Sequence, residues 1–196
     1  MRALTRIIAL AALALSLAGC GVNTIPTYEE QAKASWAQVE NQYQRRADLI
    51  PNLVETVKGY AAHERETLEA VVKARAAATQ ATLPAELLSD PAAFAKFQAA
   101  QGQLGAALSR LMVVVERYPD LKAAENFRTL QTQLEGTENR IAVARRDYIE
   151  AVRLYNTELV TFPGRIWASL LYGDKRQMQT FTAAPQAAEV PKVKFN

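Results

Sequence analysis

The chain has 196 residues, with 23 basic and 20 acidic side chains and a formal charge of +3. Arg2 and Arg6 lie within residues 1–19, which hold no acidic residue, so the rest of the chain has 21 basic and 20 acidic side chains and a balance of +1. This balance argues against a basic surface for nucleic acid, and we expect no nucleic-acid partner.

The first nineteen residues have the three parts of a secretory signal peptide. A basic start is followed by a nearly unbroken apolar run, Ile7 to Leu17, and then by Ala18 and Gly19. The run has about a dozen residues and would span roughly 18 Å as a helix, whereas a membrane-spanning helix must cross about 30 Å. A cleaved signal peptide is therefore favoured over an uncleaved membrane anchor.

Cys20 is the only cysteine, and the small pair before it resembles the lipobox of bacterial lipoproteins. The resemblance implies cleavage before Cys20 and a lipid on its sulfur, which leaves no cysteine for a disulfide. An ordinary signal peptide with an incidental cysteine is the alternative. We expect a membrane-anchored lipoprotein of the cell envelope that faces the periplasm. Gly21 stands where an Asp would resemble the retention signal of enterobacterial lipoproteins, so the outer membrane is favoured where one exists.

The first long helix is predicted after a short tether, residues 20–26. Thr27 and Glu30 have the spacing of a capping box, which predicts a helix start at Thr27. Apolar residues then recur at spacings of three and four to about residue 78, an apolar seam typical of a helix in a bundle or coiled coil. No turn residues flank Pro51, so we expect one helix of about 50 residues, kinked at Pro51. A break at Asp48–Pro51 is the alternative.

Two further helices follow the first clear loop, Ala81 to Ser89. Asp90 and Pro91 predict an N-cap and a first helical residue, and Pro119 ends this helix. A long last helix is predicted from about Leu121 to Val160.

The chain after the last long helix begins with a stop signal, Phe162-Pro163-Gly164. A short amphipathic segment, Ile166 to Leu171, is placed to cover the apolar ends of the two long helices, and residues 173–196 are predicted to be a tail. Together the elements predict an all-α fold, an elongated antiparallel bundle of four-helix type over residues 27–172.

Several long motifs agree in order with one protein family. They include Asn-Gln-Tyr-Gln-Arg-Arg-Ala-Asp-Leu-Ile-Pro-Asn-Leu-Val and Glu-Gly-Thr-Glu-Asn-Arg-Ile-Ala-Val-Ala-Arg-Arg. The full set lies at residues 41–54, 57–61, 63–64, 118–123, 126–127, 130–131, 135–146, 155–156 and 162–163. In these motifs the chain resembles the LemA family.

The resemblance to the LemA family implies an all-α bundle outside the cytoplasmic membrane or in the periplasm, and it implies no chemistry. Many members are similar to proteins held by one N-terminal transmembrane helix, where this chain has its lipobox. Ile149 stands where the family often has Asn.

One short motif resembles a metal site. His63-Glu64 begins like the zinc-protease motif H-E-x-x-H, but Thr67 replaces the second histidine, and the chain has no other. Two ligands one turn apart are what that site needs. The sequence also has no nucleophile elbow and no glycine-rich loop after a strand. We therefore expect no metal, no cofactor and no enzymatic activity.

The apolar seams contain four charged residues: Arg46, Glu64, Glu138 and Arg145. An unpaired buried charge is costly, so we expect them to pair between the two long helices, Arg46 near Arg145 or beyond and Glu64 near Glu138. A layer of ion pairs that fixes helix register is the favoured interpretation, and a polar binding niche within the bundle is the alternative.

Three polar residues of the first motif would extend this network. Asn41, Arg45 and Asp48 would join it or bind the carbonyl groups that Pro51 leaves free.

Function is predicted from location and from the seams. We expect a non-catalytic, lipid-anchored protein that presents its bundle to an unidentified envelope protein, with its oligomeric state left open. An accessory subunit of a membrane-associated protease or export machine is the alternative, and it rests on the resemblance alone. An enzyme that uses the Arg/Glu niche is the least favoured. Trp36 and Trp167, near the tether end, are core residues or membrane-interface residues.

Overall fold

The fold is all-α, as predicted. A computed structural model describes residues 21–182, so Cys20 and the predicted signal segment lie outside the described residues. Within that range there are six α-helices, one 3₁₀ turn and no strand. The α-helices are α1 (Thr24–Tyr60), α2 (Arg65–Gln80), α3 (Pro91–Val115), α4 (Pro119–Ala123), α5 (Glu125–Val160) and α6 (Gly164–Leu170), with the 3₁₀ turn at Ala85–Leu87.

Two long helices form the spine of the bundle. α1 has 37 residues and α5 has 36, so each is about 55 Å long. They run antiparallel: the rings of Trp36 and Tyr148 lie 5.1 Å apart near one end, and Arg46 meets Glu138 closer to the middle. The prediction of two long antiparallel helices with a shorter one between them is confirmed.

The first helix ends earlier than predicted, at Tyr60. Residues 61–64 reverse the chain through a turn in which the Glu64 amide donates to the Ala61 carbonyl at 3.0 Å. α2 then packs back along α1 and against α3. The apolar spacing in the sequence did not indicate this turn. Val57 of α1 and Val71 of α2 are buried in the same core, so the spacing of three and four continues across the reversal.

Pro51 lies inside α1, and the helix continues through it, as predicted. Proline has no N–H, so the carbonyl of Ala47 loses its helical donor. Arg75 of α2 supplies one, because its Nε donates to that oxygen at 2.7 Å. The sequence had predicted Asn41, Arg45 or Asp48 as partners of the freed carbonyl groups. The chain reversal before α2 brings Arg75 next to the Ala47 carbonyl instead.

Helix starts agree with the predictions in one case and differ in another. The Asp90 carboxylate accepts from the amides of Ala92 and Ala93 at 2.8 and 3.2 Å, which confirms the predicted cap of α3. α1 instead begins at Thr24, three residues before the predicted start. Thr27 does not cap, because its hydroxyl donates to the Asn23 carbonyl at 2.8 Å.

The core has two parts. The part near the start of α1, which we call the first core, is rich in aromatic residues: Trp36, Phe94, Phe97, Tyr148 and Phe181. The part near the α1–α2 turn, which we call the second core, is mainly aliphatic and includes Leu53, Leu111 and Phe127. Trp36 is a core residue, with 1% of its surface exposed, and its indole N–H donates to the Leu83 carbonyl at 2.9 Å.

Residues 173–182 complete the first core. Met178 and Phe181 are buried in it, although this stretch falls in the predicted tail. The side chain of Asn156 on α5 forms two hydrogen bonds with the backbone of Met178, each 2.9 Å long. Its Nδ2 donates to the Met178 carbonyl, and its Oδ1 accepts from the Met178 amide. The Tyr148 hydroxyl donates to the Gln179 carbonyl at 2.8 Å, and burial raises the pKa of that phenol well above its usual value.

Candidate functional site

Side chains from three helices, α1, α3 and α5, meet at one polar cluster. Arg46 of α1 is 4% exposed, although it carries a charge. Its Nη1 donates to Oε1 of Glu138 on α5 at 3.1 Å, and its Nη2 donates to Oε1 of Gln101 on α3 at 2.6 Å. We call these three residues the Arg46 cluster.

Gln101 links the Arg46 cluster to a fourth helix. Its side-chain amide donates to the carbonyl oxygen of Ala78 on α2 at 3.2 Å. The guanidinium of Arg46 also lies 5.0 Å from the ring centre of Tyr43, at cation–π distance. Sequence reasoning missed Gln101 as a partner, but its place among apolar residues in the seam of α3 was an available signal.

Solvent reaches the Arg46 cluster from one side. The side chain of Glu138 is 45% exposed, so this ion pair joins a buried cation to a half-exposed anion. A small cleft of about 90 Å³ adjoins it, lined by residues that include Tyr43, Gln101 and Glu40. Burial raises the pKa of the Glu40 carboxyl. The cleft has room for a few water molecules, whereas ligand pockets usually measure about 300–1,000 Å³.

The predicted single network of seam charges is wrong. Glu64 lies at the α1–α2 turn, where its Oε1 accepts from Arg117 Nη2 and from the Tyr118 hydroxyl, each at 2.9 Å. Arg145 lies over the ring of Phe181, 4.2 Å from its centre. The register of the antiparallel pair explains the difference. Because Arg46 is level with Glu138, Glu64 is level with the α3–α4 junction.

The remaining residues of the predicted site lie apart from the Arg46 cluster. Asn41 and Arg45 are exposed on α1, and His63 is exposed in the α1–α2 turn. Asp48 is exposed and accepts from the side chain of Gln44 at 2.7 Å. Over residues 21–182, no group of three or more His, Cys, Asp or Glu side chains is placed to hold a metal ion.

A broad groove runs between α1 and α2. Its volume is about 570 Å³, and its floor includes Val54, Leu68 and the half-exposed Val72. Charged side chains of both signs line its edges: Glu55, Lys58, Arg65, Glu69 and Lys73. An apolar floor with a polar rim is the usual arrangement of a protein–protein interface.

The sequence matches a family model described as LemA family over residues 35–195. The chain belongs to the LemA family. The match begins within α1 and includes every residue of the Arg46 cluster. The LemA resemblance stated from the motifs is thereby confirmed, and the predicted signal segment and Cys20 precede the matched residues.

Three magnetosome proteins are similar to this LemA-family chain. Magnetosome proteins MamQ 2 and MamQ 1 of Paramagnetospirillum magneticum are each 30% identical to it over 170 residues. Magnetosome protein MamQ of Magnetospirillum gryphiswaldense is 28% identical over 170 residues. Each match covers 79% of this chain and 62% of the relative, so the chain spans less than two thirds of the length of these relatives.

Among residues 21–182, every helix is too short or too polar to cross a bilayer.

Proposed function

We propose that this LemA-family protein is a lipid-anchored, non-catalytic component of the bacterial cell envelope that presents its helical bundle to a protein partner. The observation that carries the proposal is the Arg46 cluster. Its charged and amide groups bind one another and the backbone of a neighbouring helix, so they join α1, α2, α3 and α5. Groups engaged in this way support a structural role for the family motifs, and they leave the outer helix faces for binding.

Location is the second part of the proposal. Ala18-Gly19-Cys20 lies directly before the first residue of the described bundle. A lipid on Cys20 would hold the bundle at the membrane with a very short connection. We further propose that the protein faces the periplasm, with the outer membrane as its site in an organism that has one.

A role within an assembly is supported by the relatives. They are named magnetosome proteins. We propose from this that the bundle works as part of a larger assembly.

The lipid anchor is tested by metabolic labelling with a fatty acid in the native organism. The wild-type chain should incorporate the label and partition into detergent, whereas Cys20→Ser should do neither. Equal labelling of the two would overturn the anchor. Separation of the inner and outer membranes on a density gradient then tests sorting, and recovery wholly with the inner membrane would contradict the outer-membrane proposal.

The partner is tested by site-specific photocrosslinking in intact cells. A crosslinking residue at Val72, in the groove between α1 and α2, should give a discrete adduct. The matched control is Val113 on α3, an exposed apolar residue that does not line this groove. A specific adduct from residue 72 that is lost when Glu69→Lys reverses a charge at the edge of the same groove would support protein binding. Identical crosslinking patterns from both positions would contradict presentation by this face.

A further inference from the structure

Exposed apolar side chains are concentrated at one end of the bundle. Five of the eleven large apolar side chains that are exposed in residues 21–182 fall between residues 160 and 171. They are Val160, Phe162, Ile166, Leu170 and Leu171, which we call the end patch. Phe162 is 82% exposed and Leu170 is 70% exposed. Single exposed apolar residues are normal on a soluble surface, but a cluster of this kind marks a contact with another apolar surface.

The packing of α6 explains why these side chains face outward. Trp167 and Ala168 pack against the first core, which fixes one side of the short helix inward. Ile166 and Leu170 are one turn apart and so share another face. Residue 164 is a glycine, and this lets α6 pack closely against the end of α5, because a Cβ at this position would overlap the Glu158 carbonyl. The end patch is therefore fixed in place by the fold.

The end patch lies beside the start of the bundle. The Tyr172 hydroxyl donates to the Val22 carbonyl at 3.1 Å. A Cβ placed on Gly21 would lie 3.8 Å from Cγ of Pro163, the residue after Phe162. Consecutive Cα atoms are about 3.8 Å apart, so a lipid on Cys20 would begin within one residue of this contact. The predicted anchor and the end patch thus belong to the same end of the molecule.

We propose that the end patch inserts into the bilayer that holds the lipid of Cys20, and so sets the orientation of the bundle on the membrane. This proposal rests on the proposed lipid anchor. With Ile166 and Leu170 at the boundary between headgroups and acyl chains, α6 would lie in the membrane plane as interfacial amphipathic helices do.

Charge near the end patch suits an anionic lipid surface. Arg165 on α6 and Arg176 just beyond it are both exposed, and neither forms a salt bridge within residues 21–182. Asp174 is an exposed acid in the same stretch. Two arginines that reach lipid phosphates would add an electrostatic attraction to the apolar contact.

The experiment uses the full, lipidated chain in vesicles of phosphatidylethanolamine and phosphatidylglycerol. Cysteine is introduced at Leu170, and a polarity-sensitive fluorophore is attached to it, since the thiol of Cys20 is blocked by its lipid. The matched control carries the label at Val113 on α3, which is 71% exposed and lies in the half of the molecule that holds the second core. Thermal melting of both labelled proteins checks that the fold is retained.

If the end patch inserts, the fluorophore at residue 170 should emit at shorter wavelength, and nitroxide-labelled lipids should quench most of its fluorescence. The fluorophore at residue 113 should emit as it does in water and should not be quenched. Equal, water-like emission from both labels overturns insertion. Absence of quenching at residue 170, together with chemical crosslinking of two copies of the chain through the end patch, also overturns insertion. That result would assign the end patch to a dimer interface. Flotation of the vesicles reads the anchor separately: protein that floats without quenching refutes the end-patch proposal and leaves the lipid anchor standing.

Discussion

The Nε atom of Arg75 lies 2.7 Å from the carbonyl oxygen of Ala47, the residue four positions before Pro51. The proline leaves that oxygen without a helical donor, and an arginine from the next helix takes the vacant position. The proline and the α1–α2 hairpin are therefore linked through this hydrogen bond, although Arg75 lies 24 positions after Pro51 in the sequence.

This link predicts non-additive mutations. Arg75→Ala should lower the free energy of unfolding by about 1–2 kcal/mol, since it removes a charge-assisted hydrogen bond. The cost should shrink in a Pro51→Ala background, because the new N–H of residue 51 can bind the Ala47 carbonyl. Urea denaturation of both single variants and the double variant measures the coupling. Lys73→Ala, on the exposed side of α2, is the matched control. Equal costs of Arg75→Ala in both backgrounds would contradict the link.

The Arg46 cluster predicts an unequal response from its two charged partners. Arg46→Ala should cost about 3 kcal/mol or more, because it opens a cavity and leaves the side-chain oxygen of Gln101 without its donor. Glu138→Ala should cost about 1 kcal/mol, since its carboxylate is half-exposed and water can replace it. Thermal and urea unfolding compare them, with Asn139→Ala on the exposed face of α5 as control. Equal costs would show that Glu138 is far less solvated than its 45% exposure indicates.

Local chemistry was readable from the sequence. The Asp90-Pro91 cap needs only neighbouring residues, and it lies where predicted. The charged residues of the apolar seams were expected to pair with one another, and Arg46 and Glu138 do. Glu64 instead pairs with Arg117, and Arg145 lies over Phe181. Which partners they find depends on the register between helices, and periodicity alone does not fix that register.

Two features gave no periodic signal. The reversal at residues 61–64 joins two helices that bury the same kind of apolar stripe, so the spacing of three and four passes through it unchanged. Met178 and Phe181 are isolated apolar residues in a polar stretch without helical spacing. They are buried because α5 and α3 leave an aromatic surface uncovered, a fact of tertiary packing that no local window contains.

The burial of Phe181 predicts that this stretch is essential for stability. Its ring lies 5.1 Å from that of Phe94, and Arg145 covers another side of it. Phe181→Ala should therefore lower the free energy of unfolding by about 3–5 kcal/mol. Gln177→Ala, an exposed neighbour, should change it by less than about 0.5 kcal/mol. A thermal melt of each decides the matter, and equal melting temperatures would show that the stretch contributes nothing to the first core.

Glu29 predicts how stability depends on acid. This carboxylate of α1 bonds Lys175 at 2.8 Å and Lys33 at 3.0 Å, and its side chain is only 12% exposed. Burial acts to raise its pKa, but the two lysines outweigh burial and hold the pKa below its usual 4.5. The folded protein therefore binds this proton less readily than the unfolded chain does. The resulting stabilisation is complete above pH 4.5 and is lost as the pH falls through the lower pKa of the folded state.

Glu29→Gln isolates that contribution. The variant should be less stable than wild type at neutral pH, and the difference should shrink as the pH falls below 4.5 and Glu29 becomes protonated in the wild type. Glu30→Gln is the matched control, because Glu30 also pairs with Lys33 at 3.0 Å but is 73% exposed. Free energies of unfolding from urea titrations across this pH range give both differences. Lys175 belongs to the stretch that carries Met178 and Phe181, so Glu29 helps to hold this stretch against the bundle. If the stability difference between Glu29→Gln and wild type is the same at every pH, Glu29 acts through packing and hydrogen bonding and its charge contributes nothing.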